Sequence, residues 1–121
     1  MDITKTIGQE YTQIHIDGDV DASSAIELDE ALEQLLDDGV NALIDCTKLK
    51  YISSAGLGVF MSYLSDFENK DLVIVLHNLS DNVYKVFELI GLSQLLNIVD
   101  NTGQAIEVIE KVNEKSSKEY N

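Results

Sequence analysis

The chain has 121 residues, of which 45% are hydrophobic, enough for one compact core and too few residues for two ordinary domains. Its net charge is −14, from 22 acidic residues against 8 lysines and no arginine, so nucleic acid and anionic membrane surfaces are both unfavourable partners. The acidity either keeps the protein soluble or favours docking on a basic partner surface, and the sequence leaves both interpretations open.

The sequence has few features that point to a particular cellular compartment or to a bound cofactor. No apolar stretch reaches the ~20 residues that a membrane-spanning helix needs, and the first residues lack a signal-peptide pattern, so we expect a cytoplasmic protein without membrane insertion. The single cysteine, Cys46, cannot form an internal disulfide and suits a reducing compartment. His15 and His77 have no carboxylate or cysteine at ligand spacing within their own elements, so the sequence predicts no metal and no other cofactor.

The N-terminal part predicts two strands and a helix. Residues 3–7 and 11–16 are expected to pair as a hairpin, and residues 18–21 have the composition of a loop. Ser24 and Glu27 have the spacing of a capping box that opens a helix ending near Gly39. Its predicted buried stripe consists of Leu28, Ala31, Leu32, Leu35 and Leu36.

The remaining elements alternate between strand and helix. The predicted strands are residues 41–46, 71–76 and 96–99. The first predicted helix begins after Ser54, the second is capped by Ser80 or Asp81 and ends at Gly91, and the third begins at Asn101 or Thr102. The residues of the first of these helices that are predicted to face inward are Leu57, Phe60, Met61, Leu64 and Phe67. This alternation predicts a single α/β domain over residues 1–112, with a mixed, mostly parallel five-stranded sheet and about four helices. Residues 113–121 are polar and are predicted to form a frayed tail.

Two adjacent hydroxyls, Ser53 and Ser54, lie where a predicted buried strand gives way to a helix. Free backbone N–H groups and the positive end of the helix dipole converge there, and they stabilise a side-chain oxygen or an attached phosphate by about 0.3–1 kcal/mol. The pattern alone leaves open whether these serines cap the helix or carry a phosphate. Gly56 and Gly58 lack the third glycine of a dinucleotide-binding motif, and they allow a neighbouring backbone or a partner protein to approach closely.

A phospho-aspartate receiver domain is a competing interpretation, because it has a similar length and a similar alternation of strands and helices. Asp19, Asp21 and Asp45 would have to supply its acidic site, but no lysine follows the predicted last strand until Lys111. The chain also lacks a convergent set of acid, base and nucleophile, so no enzyme is predicted.

Residues 18–21, 43–45, 51–58 and 87–92 together resemble the STAS domain of anti-sigma factor antagonists, and the resemblance covers nearly the whole chain. In that family, a serine of the motif Asp-Ser-Ser/Thr/Ala-Gly-Leu-Gly is phosphorylated by an anti-sigma factor that is also a serine kinase, and a serine phosphatase reverses the reaction. The matching acceptor is Ser54, with Ser53 as the alternative acceptor and preferred helix cap. Ser53 stands where the family usually has Asp, and Ala55 replaces the more frequent second hydroxyl.

The resemblance implies that the unphosphorylated protein binds the anti-sigma factor kinase and thereby releases a sigma factor, and that phosphorylation switches this binding off. The implied partner-binding residues are Asp21, Ser53, Ser54, Ala55, Gly56, Leu57 and Gly58. The alternative is a STAS regulatory subunit or scaffold that works without phosphorylation, for example in a membrane transport system. Nothing in the sequence demands more than a monomer.

Overall fold

The computed structural model describes residues 1–119, and the side chains of residues 1–114. The strands are β1 (Asp2–Ile7), β2 (Tyr11–Val20), β3 (Asn41–Ile52), β4 (Ile74–His77) and β5 (Asn97–Val99), and the helices are α1 (Ala25–Asp38), α2 (Ser54–Asn69), α3 (Asp81–Leu89) and α4 (Thr102–Glu119). A 3-10 turn, Leu92–Gln94, precedes β5. The predicted α/β architecture, with five strands and four helices, is confirmed.

The sheet follows the order of the chain, β1-β2-β3-β4-β5. β1 is antiparallel to β2, and every later neighbour is parallel. Right-handed crossovers that add strands in a single direction place their connecting helices on the same face of a sheet, so α1, α2 and α3 share one face. The last helix, α4, packs on the other face.

Each face of the sheet has its own apolar core. The larger core joins α1, α2 and α3 to the strands, and it includes the ring contact between Phe60 and Phe87, whose centroids are 6.1 Å apart. The smaller core sets Ala105 and Ile109 of α4 against Leu43 and Val75. Burial of β3 and β4 on both faces explains their continuous apolar runs.

Two strands are longer than the sequence predicts. The predicted loop at residues 18–21 is wrong over Gly18–Val20, which continue β2 and pair with residues 49–52 of β3. β3 itself runs six residues past the predicted end at residue 46. Two register shifts interrupt this pairing, and such bulges break the alternation of polar and apolar residues that identifies a strand in a sequence. By contrast, β4 begins at Ile74, three residues after its predicted start at residue 71.

The structure corrects three further details of the predicted helices. Ser24 makes no side-chain cap, so the predicted capping box is not formed. Met61 is 50% exposed rather than buried, and Tyr63 takes the inward position at 8% exposure. Ile90 continues the helical spacing of Val83, Val86 and Phe87, which predicts an inward position, but it is 51% exposed because α3 ends at Leu89.

The backbone of α4 extends as a helix to Glu119, beyond the predicted domain boundary at residue 112. The last two residues of the predicted tail at 113–121 lie outside the described residues. The frayed tail therefore stays a prediction.

Candidate functional site

The junction between β3 and α2 is fixed by the backbone and side chain of Ser53. Its N–H donates to the carbonyl oxygen of Val20 at 2.8 Å, which ties the junction to β2. Its hydroxyl oxygen accepts from the N–H of Gly56 at 3.3 Å, and its carbonyl oxygen accepts from the N–H of Leu57 at 3.0 Å. Ser53 is therefore the N-cap of α2, and its hydroxyl is engaged within the protein.

Ser54 is the first residue of α2, and its side chain is exposed. The N–H groups at the start of a helix have no partners within the helix, and they carry the positive end of the dipole. A negative group on the Ser54 oxygen would thus lie beside the end of the helix that stabilises it.

The residues after Ser54 divide between the core and the surface. A Cβ atom on Gly56 would lie 2.7 Å from Cγ1 of Ile52 and 2.8 Å from Cγ1 of Val20, so this glycine allows α2 to approach the two strand ends. Leu57 is only 6% exposed and belongs to the larger core. Among the residues predicted to bind a partner, Gly56 and Leu57 thus face inward, whereas Ala55 and Gly58 are exposed beside Ser54.

The exposed side of α2 carries no charge over its first three turns. No charged residue occurs from Tyr51 to Ser65, in a chain of which 25% is charged. The exposed positions recur at helical spacing and form one surface, here called the α2 face: Ser54, Gly58, Met61, Ser62 and Ser65. The neighbouring helix α1 contrasts with it, because every charged residue of α1 is acidic.

Asp21 lies next to the junction because it follows Val20, whose carbonyl accepts from Ser53. Its carboxylate accepts three hydrogen bonds of 2.9 Å, from the N–H and the hydroxyl of Ser24 and from the hydroxyl of Ser23. These bonds, led by that of the Ser24 N–H, lower the pKa of Asp21 from 3.8 to about 2. The predicted interface residue therefore shapes the turn that enters α1.

Asp21 should contribute to the pH dependence of stability. Because its folded pKa of about 2 lies below the usual 3.8, its contribution is complete above that range and is lost as the pH falls through it toward 2. In urea unfolding from pH 6 to pH 2, Asp21→Asn should lose less stability than the unmodified protein across this window. The exposed neighbour Asp19 offers a control, as Asp19→Asn. Parallel curves for Asp21→Asn and the unmodified protein would contradict this assignment.

A second polar cluster lies on the sheet face opposite α2. The Nδ1 atom of His15 is 2.7 Å from Oδ2 of Asp45 on the neighbouring strand, and its Nε2 atom is 2.9 Å from Oγ1 of Thr6. This pair is not predicted from the sequence, because His15 and Asp45 belong to different elements and are brought together only by the parallel register of β2 and β3. The sequence signal is weak: Asp45 is the one charged residue in the apolar run 42–46, and His15 is one of several polar residues in β2.

The other titratable groups in the sheet interior are held in place. His77 is 1% exposed, and its ring nitrogens contact the side-chain oxygens of Asn78 and Gln13. Burial raises the pKa of the Cys46 thiol, which is therefore unreactive at neutral pH.

Within residues 1–114, no three His, Cys, Asp or Glu side chains are arranged to hold a metal ion. No described helix has the length and apolar character needed to span a bilayer.

The chain is similar to known proteins over most of its length. The family model described as "Mlab, STAS domain" matches residues 3–99. An anti-sigma-B factor antagonist of Listeria monocytogenes is 33% identical over 96 residues, which cover 78% of this chain and 84% of that protein.

Solved structures agree on the fold. The crystal structure of a putative anti-sigma factor antagonist from Thermotoga maritima has a TM-score of 0.83 at 18% identity, covering 89% of this chain and 94% of that one. The structure of the Bacillus cell fate determinant SpoIIAA in its phosphorylated form has a TM-score of 0.68 at 18% identity, covering 89% and 99% of the two chains. Together with the family model and the Listeria relative, these matches show that the chain belongs to the STAS-domain family of anti-sigma factor antagonists.

Proposed function

We propose that the unphosphorylated protein binds an anti-sigma factor serine kinase through the start of α2 and so frees a sigma factor, and that phosphorylation of Ser54 ends this binding. The observation that carries the proposal is the division of roles between two adjacent hydroxyls. Ser53 is engaged as the helix cap, whereas Ser54 is exposed one residue later. The relatives named anti-sigma-B factor antagonists support the same role.

The α2 face suits a reversible protein contact. Its exposed residues are small or uncharged, so a partner can cover it without burying an unpaired charge. A phosphate on Ser54 adds about −1.5 to −2 charges at one end of this surface. The free helix tolerates that charge, while a partner that covers the same spot does not, so the switch acts on binding and leaves the fold intact.

The reaction on Ser54 is supplied by the partners. The kinase transfers a phosphoryl group from ATP to the Ser54 oxygen, and a serine phosphatase returns the hydroxyl by hydrolysis. The protein itself acts in the cytoplasm as a monomeric, non-enzymatic regulator.

The acceptor can be identified directly. Incubation of the full chain with ATP and the anti-sigma factor kinase of the same organism should add one phosphate, which tandem mass spectrometry should map to Ser54. Ser54→Ala should abolish the modification, and Ser53→Ala should keep it, with a stability loss of about 1 kcal/mol for the missing cap. Phosphate on Ser53, or full modification of Ser54→Ala, would overturn the assignment.

The alternative function, a STAS subunit of a transport system that needs no phosphorylation, is favoured by one observation. Ser53 replaces the Asp that usually precedes the acceptor in the family, so the acceptor lacks a neighbouring charge. Affinity capture with the unmodified protein separates the two functions. Recovery of transporter ATPase subunits instead of an anti-sigma factor kinase would favour the transport role.

A further inference from the structure

A cavity of about 580 Å³ lies where β1, β2 and β3 adjoin, apart from the α2 face. His15 and Asp45 line it, and they alternate along their strands with residues of the larger core, such as Ile14 and Ile44. The cavity therefore opens on the sheet face opposite α1, α2 and α3. Its volume falls within the range of about 300–1,000 Å³ that is typical of small-molecule sites.

A β-bulge gives the cavity its charged rim. His15 pairs with Asp45 and Asp17 pairs with Lys48, so β3 carries one residue more than β2 between these pairs. As a result, Thr47 and Lys48 are consecutive exposed residues, and both line the cavity. Bulges commonly redirect a side chain in this way beside functional sites.

Hydrogen bonds position the polar side chains in the wall of the cavity. The His15 ring is held from both sides, by Thr6 and by Asp45. Asp45 is fixed in turn by the hydroxyl of Thr47 at 2.6 Å and by its N–H at 3.0 Å. Although partial burial opposes ionisation, the hydrogen bonds from Thr47 and His15 keep the pKa of Asp45 below its usual value.

The rim, in contrast, carries charges without partners. Asp2 pairs in register with Asp17, which pairs in turn with Lys48, so the three residues form a row across the sheet. Among residues 1–114, none of these three side chains makes an ion pair or a side-chain hydrogen bond. Two carboxylates directly opposite each other destabilise a strand pair, and a bound positive group would relieve that repulsion.

We propose that this cavity binds a small amino-carboxylate, a molecule that carries one ammonium and one carboxylate group several bonds apart. The ammonium group binds between Asp2 and Asp17, and the carboxylate binds the side-chain ammonium group of Lys48. Neighbouring strands are about 4.8 Å apart, so the two ends of the row, Asp2 and Lys48, are anchored about 10 Å apart. This separation favours an ω-amino acid over an α-amino acid. The proposal does not depend on phosphorylation or on the kinase.

The probe is γ-aminobutyrate, titrated into the ¹⁵N-labelled full chain at constant ionic strength and followed by amide chemical shifts. Saturable changes at residues 2–4, 15–17 and 45–48 are expected, with a dissociation constant in about the millimolar range for so small a ligand. Propylamine and butyrate, which each keep one of the two charges, should bind about fivefold more weakly.

Substitutions test the two ends of the site separately. Asp17→Asn and Lys48→Gln should each weaken γ-aminobutyrate binding about fivefold, whereas Asp37→Asn on α1 should leave it unchanged. If propylamine bound as tightly as γ-aminobutyrate and Lys48→Gln had no effect, the cavity would only attract cations in general, and the proposal would be overturned. The absence of saturable shifts at the cavity would overturn it as well. The amide spectrum of each variant reports at once whether it has folded.

Discussion

Ser54→Asp should weaken binding to the anti-sigma factor kinase by roughly 30-fold to several-thousand-fold, the equivalent of about 2–5 kcal/mol. The carboxylate stands on the first residue of α2, at the edge of a surface that carries no charge from Tyr51 to Ser65. A partner that covers this surface must then bury an anion without a counter-charge. Titration calorimetry with the purified kinase measures the loss.

The controls separate the position of the charge from its presence. Ser54→Ala should bind the kinase as the unmodified protein does, because the hydroxyl of Ser54 is not the helix cap. Asn82→Asp adds the same charge to the exposed first turn of another helix, α3, and should also leave the affinity unchanged. Equal affinities for the unmodified protein, Ser54→Ala and Ser54→Asp would contradict a phosphorylation switch. An equal loss for Asn82→Asp would indicate general repulsion by a more acidic chain.

The same variants show whether the switch acts on binding alone. A carboxylate at the start of a helix interacts favourably with the dipole, by about 0.3–1 kcal/mol. Ser54→Asp should therefore unfold at the same urea concentration as the unmodified protein, or at a slightly higher one. A large loss of stability would instead place Ser54 in the packing of the junction.

The sequence predicts the fold well where each element contributes its own periodic signal. The stripe of α1, with Leu28, Leu32 and Leu35, and the apolar runs of β3 and β4 follow from side-chain spacing alone. The extension of β2 over Gly18–Val20 does not, because its own glycine and aspartate have the composition of a loop and two bulges break the alternation of its partner segment in β3. Tertiary pairing stabilises this stretch, and no local preference reveals it.

In the candidate site, too, the local features are predictable from the sequence and the contacts between strands are not. The place of Ser53 and Ser54 at a strand-to-helix junction is local and was predictable. The contact of Gly56 with Val20 depends on the pairing of β2 with β3. The pair of His15 and Asp45 depends on the same register, which a sequence shows only after the sheet order is known.

Gly56→Ala and Gly58→Ala should have opposite effects on stability, although both exchange glycine for alanine in α2. The new methyl group at Gly56 would meet Ile52 and Val20 within 3 Å, and both side chains are buried at 3% and 0% exposure. Overpacking of this kind costs about 1–3 kcal/mol, of which the better helix propensity of alanine recovers up to about 1 kcal/mol. At Gly58 no atom lies within 4 Å of the new methyl group, so only the propensity gain of up to about 1 kcal/mol remains.

At Gly58, the substitution by alanine should affect binding to the kinase in the opposite direction from stability. Its methyl group would stand on the α2 face one turn after Ser54, where a closely packed partner has no room for it. Gly58→Ala is therefore expected to unfold at a higher urea concentration and yet bind the kinase more weakly. If it gained stability and kept full affinity, the kinase would contact α2 only at its first residues. Since alanine would serve the fold better at this position, a weaker complex would show that the missing side chain of Gly58 serves the contact with the partner.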